Sequence, residues 1–541
     1  MRYGISSDAS LNATVNPDFG QVEADPAVLN LTTFETFLSE RRPFFVEGAG
    51  MFNTPIQLFY SRRIGKRPGH FVAPEGDFAS PDATTILGAA KVTGKTAART
   101  SFGLVEAVTA PEYATRNGTH TNPSGIADEA HADALIEPLT NYLVGRVQQD
   151  VLDNSTVGAL VTSVQRRGAE SASSGGLDWS LRWPDNAYSF AGQIAGTRAG
   201  RSGNRQSGYA LSLGAGKNSG VLTAGFSLDA FSPEFDPNDI GFLEQADRVD
   251  TFTWLRLERT RPWRSFRTLY AETAYQGGWN YDGVNMLRGI NFWVGGELRN
   301  YWNIDVYAYR TFGSMNDWKT RGGPFILNPV TEGYQVTVST PGGKRVRAIL
   351  GADLAPAGNE VSERSIRGEL IFYATAALQL GLSPFYGWGR DEAEWVTNVD
   401  DDGDGADDHY VFGALRTNTL DLTTRLSATL TPRLSLQLWA QSFIASGDYE
   451  DFKELARPAS YEFTPYPHVD FDPDFKDRSL RSNLVLRWEY RPGSTLFLVW
   501  SQSRSSTAED IRFRPLDDLG ATFTDNGRNV FFAKLNYWMG I

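Results

Sequence analysis

One stretch of the chain has the residue types and spacing of a cation site. In "DDDGDGADD", residues 400–408, aspartates recur at alternate positions and a glycine permits a tight turn. Ca²⁺ prefers six to eight hard oxygen ligands, which alternating carboxylates around such a turn can supply. The candidate calcium ligands are Asp400, Asp402, Asp404, Ala406 through its backbone, and Asp408. Val411 occupies the position of the EF-hand glutamate, so a solvated acidic loop without an ion is the alternative.

Other chemical motifs are sparse. His131 in "DEAHAD", residues 128–133, is a second candidate metal ligand, but a single histidine in a polar loop is more often simply solvated. The sequence contains no H-E-x-x-H, G-x-S-x-G or phosphate-binding loop motif. We therefore predict that the chain is not an enzyme and name Ca²⁺ as its one candidate cofactor. A hydrolase built from residues at separate strand ends is the least favoured alternative.

Charges of both signs are concentrated near the start of the chain. They are Asp18, Glu23, Asp25, Arg41, Arg42, Glu47, Arg62 and Arg63. In a functional interpretation these side chains form a substrate-binding patch or a gate. In a structural interpretation they form ion pairs that fasten this part of the chain, with Phe44, Phe45, Phe59 and Tyr60 packed around them. We favour the ion pairs, because a buried charge without a partner is costly.

Most of the remaining sequence has a two-residue periodicity. Apolar and polar residues alternate in "VLTAGFSLDAF", residues 221–231, and in "LDLTTRLSATL", residues 420–430. A β-strand places successive side chains on opposite faces, so each segment has one apolar and one polar face. About twenty such segments follow Ile86, joined by short turns and by long polar connections such as 389–408 and 450–476.

This pattern predicts an all-β fold, a large antiparallel transmembrane (outer-membrane) β-barrel. About ten tilted residues cross a bilayer as a strand, and we expect about 22 strands, within a range of 20 to 24, from residues 81–541. The chain ends on the alternating segment "NVFFAKLNYWMGI", as a barrel requires, because its last strand pairs with its first. No apolar run reaches the length of a membrane-spanning helix. A β-propeller or double sandwich is the soluble alternative.

Residues 1–80 differ from the repeated hairpins. After a short alternating segment that ends at Pro17, "TTFETFLSERRP", residues 32–43, predicts a short helix, because Thr32 and Glu35 have capping-box spacing. We expect this strand and helix segment to lie at or inside the lumen as a plug or strut. The first residues lack the basic and apolar parts of a signal peptide, so we expect the natural chain to begin further upstream.

Composition agrees with a barrel and excludes one class of partner. The 541 residues include 13% aromatics and 53 glycines but no cysteine, which suits aromatic-rich strands joined by turns and leaves no disulfide framework. The formal net charge is −13. Nucleic acid is therefore not an expected partner, because phosphate binding needs clustered cations.

Several ordered motifs resemble one family. They are "NPDFGQVEAD" (16–25), "ERRPFFVEG" (40–48), "FYSRRIG" (59–65), "AAKVTGKT" (89–96), "FDPNDIGFL" (235–243), "RGGP" (321–324) and "FIASGDY" (443–449). Together they resemble the domain of unknown function 5916 family. The resemblance implies an outer-membrane β-barrel of a Gram-negative envelope, commonly preceded by a domain similar to carbohydrate-binding family 9. It implies no catalytic residues.

Two functions follow from these observations as hypotheses. The first is a pore or transport component that moves solutes, with a carbohydrate-related role suggested by the resemblance, across the bacterial outer membrane. The second is a barrel that anchors an upstream sugar-binding domain or serves an envelope complex as a partner subunit. In both, the lipid bilayer is the main partner and the barrel is expected to be a monomer.

Overall fold

The structure is a computed structural model, and strands dominate it as the alternating sequence predicts. It describes residues 2–6, 8–15, 25–72, 78–116, 134–201, 204–356, 360–401, 403, 405–467 and 469–538. In these residues no helix is both long enough and apolar enough to span a membrane.

The described residues form 29 strands, two short helices and two 3₁₀ turns. The first strands are β1 (Arg2–Ser6), β2 (Ala9–Val15), β3 (Phe78–Ala79), β4 (Ile86–Lys95), β5 (Thr100–Thr109), β6 (Glu112–Arg116), β7 (Ala134–Glu137), β8 (Thr140–Val151), β9 (Ser155–Arg166) and β10 (Ala172–Trp183). The next are β11 (Tyr188–Arg201), β12 (Asn204–Lys217), β13 (Leu222–Phe231), β14 (Arg248–Arg259), β15 (Phe266–Trp279), β16 (Asn285–Leu298), β17 (Asn303–Thr311), β18 (Ser314–Asn316), β19 (Ile326–Asn328) and β20 (Thr331–Ser339). The last are β21 (Val346–Ala355), β22 (Val361–Thr375), β23 (Leu378–Val399), β24 (His409–Thr431), β25 (Leu434–Leu455), β26 (Phe463–Pro465), β27 (Phe475–Arg491), β28 (Ser494–Thr507) and β29 (Gly527–Asn536). The helices are α1 (Pro43–Val46) and α2 (Pro515–Ala521), with 3₁₀ turns η1 (Ala49–Phe52) and η2 (Ser61–Arg63).

One antiparallel sheet contains 24 strands, at the upper limit of the predicted range. Leaving out β26, 23 strands follow one another from β1 to β29, and β26 pairs only with the end of β25. Separate small sheets are formed by β3, β6 and β7 and by β18 and β19. Strands β1 and β2 belong to the large sheet, although they lie in the predicted 1–80 segment. The sheet is not closed: in the described residues no pairing joins β1 to β29.

The sheet is nevertheless rolled, because one short segment connects strands that are far apart in it. Arg481 on β27 donates to the Asp25 carbonyl at 2.7 Å, and Arg62 donates to the Asp25 carboxylate at 2.8 Å. Ile56 lies six residues before Arg62 in the sequence, and its backbone N–H donates to Gln193 on β11 at 2.6 Å. In a flat sheet β11 and β27, 13 strands apart, would be about 60 Å from each other. Six residues span at most about 21 Å, so the sheet must curve around the segment.

The alternation of faces is confirmed on β13. Its apolar residues Leu222 and Phe226 are both 42% exposed, and they lie on the face opposite to Ser227 and Asp229. Gln193 contacts the segment inside the roll, so its face of β11 is the inward face. Residues that the register places opposite each other share a face, which gives the inward and outward faces of the neighbouring strands in turn. The outward face carries most of the apolar residues.

The helix predicted over residues 32–43 is wrong. The only helix there is Pro43–Val46, where the proline begins the helix instead of following it. Asn30 accepts hydrogen bonds from both the backbone and the hydroxyl of Thr32, and the Thr32 hydroxyl accepts one from the N–H of Phe34. These local bonds compete with helical hydrogen bonds and hold the chain in a turn.

The strands at one end of the roll are unusually long. β23 and β25 have 22 residues each, so the predicted connections 389–408 and 450–476 are shorter than expected, with β23 ending at Val399 and β25 at Leu455. Crossing a bilayer takes only about ten tilted residues. β23 is about twice that length.

Candidate functional site

Residues 25–72, which we call the inner segment, lie inside the rolled sheet. Phe34 packs edge-on against Trp318, with ring centroids 5.3 Å apart, whereas Phe37 stacks on Tyr60 at 4.9 Å and also contacts Phe242. On a helix these two phenylalanines would share one face. In the fold they contact different elements, which gives a tertiary reason why the predicted helix does not form.

The inner segment is folded onto itself by a buried ion pair. The Arg42 guanidinium donates to both carboxylate oxygens of Glu40, at 2.9 and 2.6 Å, and to the carbonyls of Ser61 and Ile64. It also lies 4.3 Å from the centre of the Phe45 ring. Burial alone would raise the pKa of Glu40, but the hydrogen bonds and charge of Arg42 hold that pKa below its usual value. This pair connects the start of α1 to the η2 turn.

A second arginine fastens the segment to the loop after β13. Arg63 donates to the Gly241 carbonyl at 3.0 Å, to Glu35 at 2.7 Å and to Asn238 at 3.2 Å. The Arg63 side chain is 9% exposed, whereas that of its partner Glu35 is 55% exposed, so this ion pair lies at the edge of the solvent. Together with the Arg42–Glu40 and Asp25–Arg62 pairs, they give ion pairs to four of the eight predicted charges.

The other predicted charges have different surroundings. Arg41 is half-buried, and its backbone N–H donates to Glu40. The Glu47 side chain is exposed, whereas its carbonyl accepts a hydrogen bond from the buried Lys91 on β4. Asp18 and Glu23 lie outside the described residues.

Apolar packing holds one side of the inner segment against β4 to β12. The two surfaces form one continuous core. The segment contributes Phe45, Phe52, Ile56, Leu58 and Ile64, and the strands contribute residues that include Ile86, Val105, Val144, Leu160 and Val164. The inner segment therefore packs directly on the inward faces of these strands.

A charged cavity lies at the end of the roll where β23 is extended. Lys319 pairs with Glu360 and lies 3.7 Å from Asp391, and all three line a cavity of about 360 Å³ together with Glu394. Burial would lower the pKa of Lys319, but Asp391 and Glu360 raise it overall. Burial, and then the charge of Asp391, raise the pKa of Glu394 to about 7. This group, which we call the acid cavity, can hold or release a proton near neutral pH.

Sequence reasoning missed the acid cavity. Lys319 follows β18, Glu360 precedes β22 and Asp391 lies on β23, so no local spacing connects them. The one feature of the sequence that pointed to this cavity was the cluster of acidic residues at 391–394, beside a predicted strand. Leu31 also lines this cavity, which places the inner segment against it.

The candidate calcium loop is held by its own carboxylates. Asp400 accepts hydrogen bonds from the N–H groups of Gly403 and Gly405 at 2.7 and 2.9 Å. Asp408 accepts one from the N–H of Asp401 at 3.0 Å. These bonds close a compact turn between β23 and β24.

The calcium site itself stays a prediction. Asp402 and Asp404 lie outside the described residues, Ala406 is exposed, and the His131 motif also falls outside. Within the described part of the chain, no group of three or more acidic or histidine side chains is arranged to hold a metal ion. Next to the loop, the carboxylates of Glu454 and Asp401, which accept hydrogen bonds from the His409 ring, raise the pKa of His409.

Comparison with known proteins identifies a family and no named relative. The family model described as "Domain of unknown function (DUF5916)" matches residues 1–541, so the resemblance inferred from the motifs is confirmed. No curated protein matches the chain.

Proposed function

We propose that this chain, which belongs to the DUF5916 family, is an outer-membrane β-barrel. Solutes pass through its lumen, which the inner segment narrows. The observation that carries the proposal is the apolar outward face of successive strands. Large side chains exposed there include Leu177, Ile194, Leu255, Val294, Val306, Val336, Leu350 and Ile366. Such a continuous exposed apolar surface is unusual for a protein in water and suits contact with lipid.

Aromatic residues near the short turns support the same proposal. Exposed members are Trp183, Tyr188, Trp263, Tyr301, Trp302, Tyr373 and Trp488. They cluster at the ends of the hairpins β10–β11, β14–β15, β16–β17, β22–β23 and β27–β28. Membrane barrels carry girdles of aromatic residues at the height of the lipid headgroups. We place this end of the roll at one face of the outer membrane.

The edges of the sheet provide the first test. A lipid-embedded sheet needs its edges joined, so we expect β1 and β29 to meet in the membrane. The chain has no native cysteine, so Tyr3→Cys combined with single cysteine substitutions along 530–536 can report contact by disulfide formation in lipid vesicles. A cross-link at one register is expected. Absence of any cross-link, with unheated and boiled samples migrating identically on a gel, would reject the barrel.

Ion conductance in planar bilayers tests the pore. We expect small conductance steps from the intact protein and larger or more frequent openings from Arg62→Gln, which loses the ion pair to Asp25 inside the roll. Arg457→Gln is the matched control, because its ion pair with Glu462 is exposed on a surface connection. Silent bilayers with both the intact protein and Arg62→Gln would overturn the transport proposal.

One observation favours the anchor function as the second candidate. The apolar core between the inner segment and β4 to β12 fills that side of the interior. A barrel that only anchors a neighbouring domain needs no open path. Folded, heat-modifiable protein that conducts no ions in any variant would support this role.

A further inference from the structure

The inward faces of β14 to β23, which we call the luminal wall, carry a row of stacked aromatic rings. Trp293 and Tyr307 are opposite each other on β16 and β17, and their rings stack with centroids 4.8 Å apart and planes at 22°. Tyr309 continues the row, with its ring 5.8 Å from that of Tyr307 and the planes at 28°. The three side chains are only partly buried, so the row faces the interior space.

A glycine lets one of these rings lie against the sheet. Gly333 on β20 is opposite Tyr309, and a Cβ atom at Gly333 would lie 2.4 Å from the Tyr309 ring. Any larger residue would therefore displace the ring. The Tyr309 ring therefore packs closely over β20 at Gly333.

Planar polar groups lie directly beside the rings. Asp353 accepts hydrogen bonds from Gln335 at 2.6 Å, Ser365 at 2.6 Å and Arg367 at 2.5 Å. With Tyr307 and Tyr309 these residues line a cavity of about 340 Å³. Arg367 pairs with Asp353, and the carboxylate of Glu363 also lines the cavity, so the floor disfavours an anionic ligand.

From this arrangement we propose that the luminal wall binds carbohydrate, with Tyr307 and Tyr309 stacking on sugar rings and the Asp353 network contacting their hydroxyls. A pyranose ring has an apolar C–H face and a polar edge, which match a flat aromatic ring beside amide, carboxylate and guanidinium groups. A long apolar ligand would leave the polar network unsatisfied, and an anionic ligand would meet two carboxylates beside one guanidinium. Hexalysine, among the probes below, tests the cationic alternative. The inference rests on the proposed function in that it assigns a substrate class to the same lumen.

The aromatic and polar surface continues along the strands. The Tyr270 hydroxyl on β15 donates to Asp305 at 2.7 Å, and Arg256 lies 3.9 Å from the centre of the Tyr270 ring. Asp305 and Tyr309 are four residues apart on β17, which is about 13 Å along the strand. The wall therefore suits an oligosaccharide better than a monosaccharide.

Calorimetric titration of the detergent-folded protein tests the inference without requiring conductance. The probes are maltohexaose, cellohexaose, xylohexaose and chitohexaose, each titrated separately, with a polyethylene glycol of similar length and hexalysine as non-sugar probes. We expect at least one hexasaccharide to bind and neither non-sugar probe to do so. If no sugar binds, or if hexalysine or the polyethylene glycol binds as well as the sugars, the inference is wrong.

Variants on the two faces of one strand pair sharpen the test. Tyr307→Ala and Tyr309→Ala should each weaken binding at least tenfold, and Gly333→Val should do the same by displacing the Tyr309 ring. Val306→Ala is the matched control, since Val306 is next to Tyr307 but on the outward face and 43% exposed. Equal weakening by Val306→Ala, in variants that keep the folded gel mobility, would overturn the assignment to this wall. Sugar binding without conductance would reject the pore alone, and conductance without sugar binding would reject this inference alone.

Discussion

The inner faces of two groups of neighbouring strands differ, although their outer faces are alike. From β4 to β12 the inward residues include Val144 and Leu160, which are completely buried against the inner segment. On the luminal wall the inward residues include Tyr307 and Arg367, which remain partly exposed beside a cavity. The outward face of each group is mainly apolar and exposed. The inner face of each group thus follows what it contacts, a folded segment in one case and an open space in the other.

The difference changes the sequence pattern. β5 reads "TSFGLVEAVT", with Leu104 on its outward face and the buried Val105 on its inward face. Alternation is blurred there because both faces need apolar residues. Clear alternation, as on β13, accompanies an inward face that is polar. Loss of alternation within a barrel-like series therefore indicates the strands on which an inner segment packs.

The largest effect that can test this comparison comes from the buried ion pair. Arg42→Ala leaves Glu40 buried without its partner and two carbonyls without donors, so we expect a loss of about 3–5 kcal/mol in the free energy of unfolding. Arg367→Ala on the luminal wall removes a pair with Asp353 in which the arginine is 37% exposed, and should cost about 1 kcal/mol or less. Urea unfolding in detergent, followed by gel mobility, measures both. Equal losses would show that the two inner faces are equally buried.

Apolar packing gives the next largest effect. Leu58 belongs to the inner segment and is completely buried against the strands. Leu58→Ala should therefore reduce the free energy of unfolding by about 2–5 kcal/mol. The control is Leu516→Ala on α2, where the side chain is 82% exposed and a change within about 0.5 kcal/mol is expected. The same urea experiment applies. A small effect at Leu58 would mean that the inner segment is only loosely held.

The fold was largely predictable because its pattern is local. Alternation within about ten residues specifies a strand and its two faces, and "VLTAGFSLDAF" corresponds closely to β13 (Leu222–Phe231). The family could also be recognised from the sequence, since its motifs are short and ordered. The extension of β23 to Val399 could not, because polar and acidic residues continue the strand where the sequence is typical of a loop.

The sites were less predictable because they depend on contacts between distant residues. The fastening role of Asp25 and Arg62 was expected from charge, yet the partner of Arg42 is its neighbour Glu40, which was not among the predicted charges. The contact of Tyr309 with Gly333 depends on the register of β17 and β20. These strands are neighbours in the sheet but are separated in the sequence by the small sheet of β18 and β19. No spacing in the sequence encodes that register.

A pH-dependent effect is predicted for the acid cavity, where the inner segment meets the luminal wall. The pKa of Glu394 is raised to about 7 in the folded chain, so the folded state holds this proton over a pH range in which the unfolded chain has released it. The stability that the proton provides is complete below about pH 4.5 and is lost as the pH rises through about 7. The urea midpoint should therefore fall over this interval. Glu394→Gln, which keeps a neutral side chain, should flatten the fall, whereas Glu392→Gln, whose side chain is 46% exposed, should not. If the urea midpoint of Glu394→Gln fell with pH as steeply as that of the unchanged protein, the pH dependence would belong to another group. Titration of Glu394 would then make no contribution to stability.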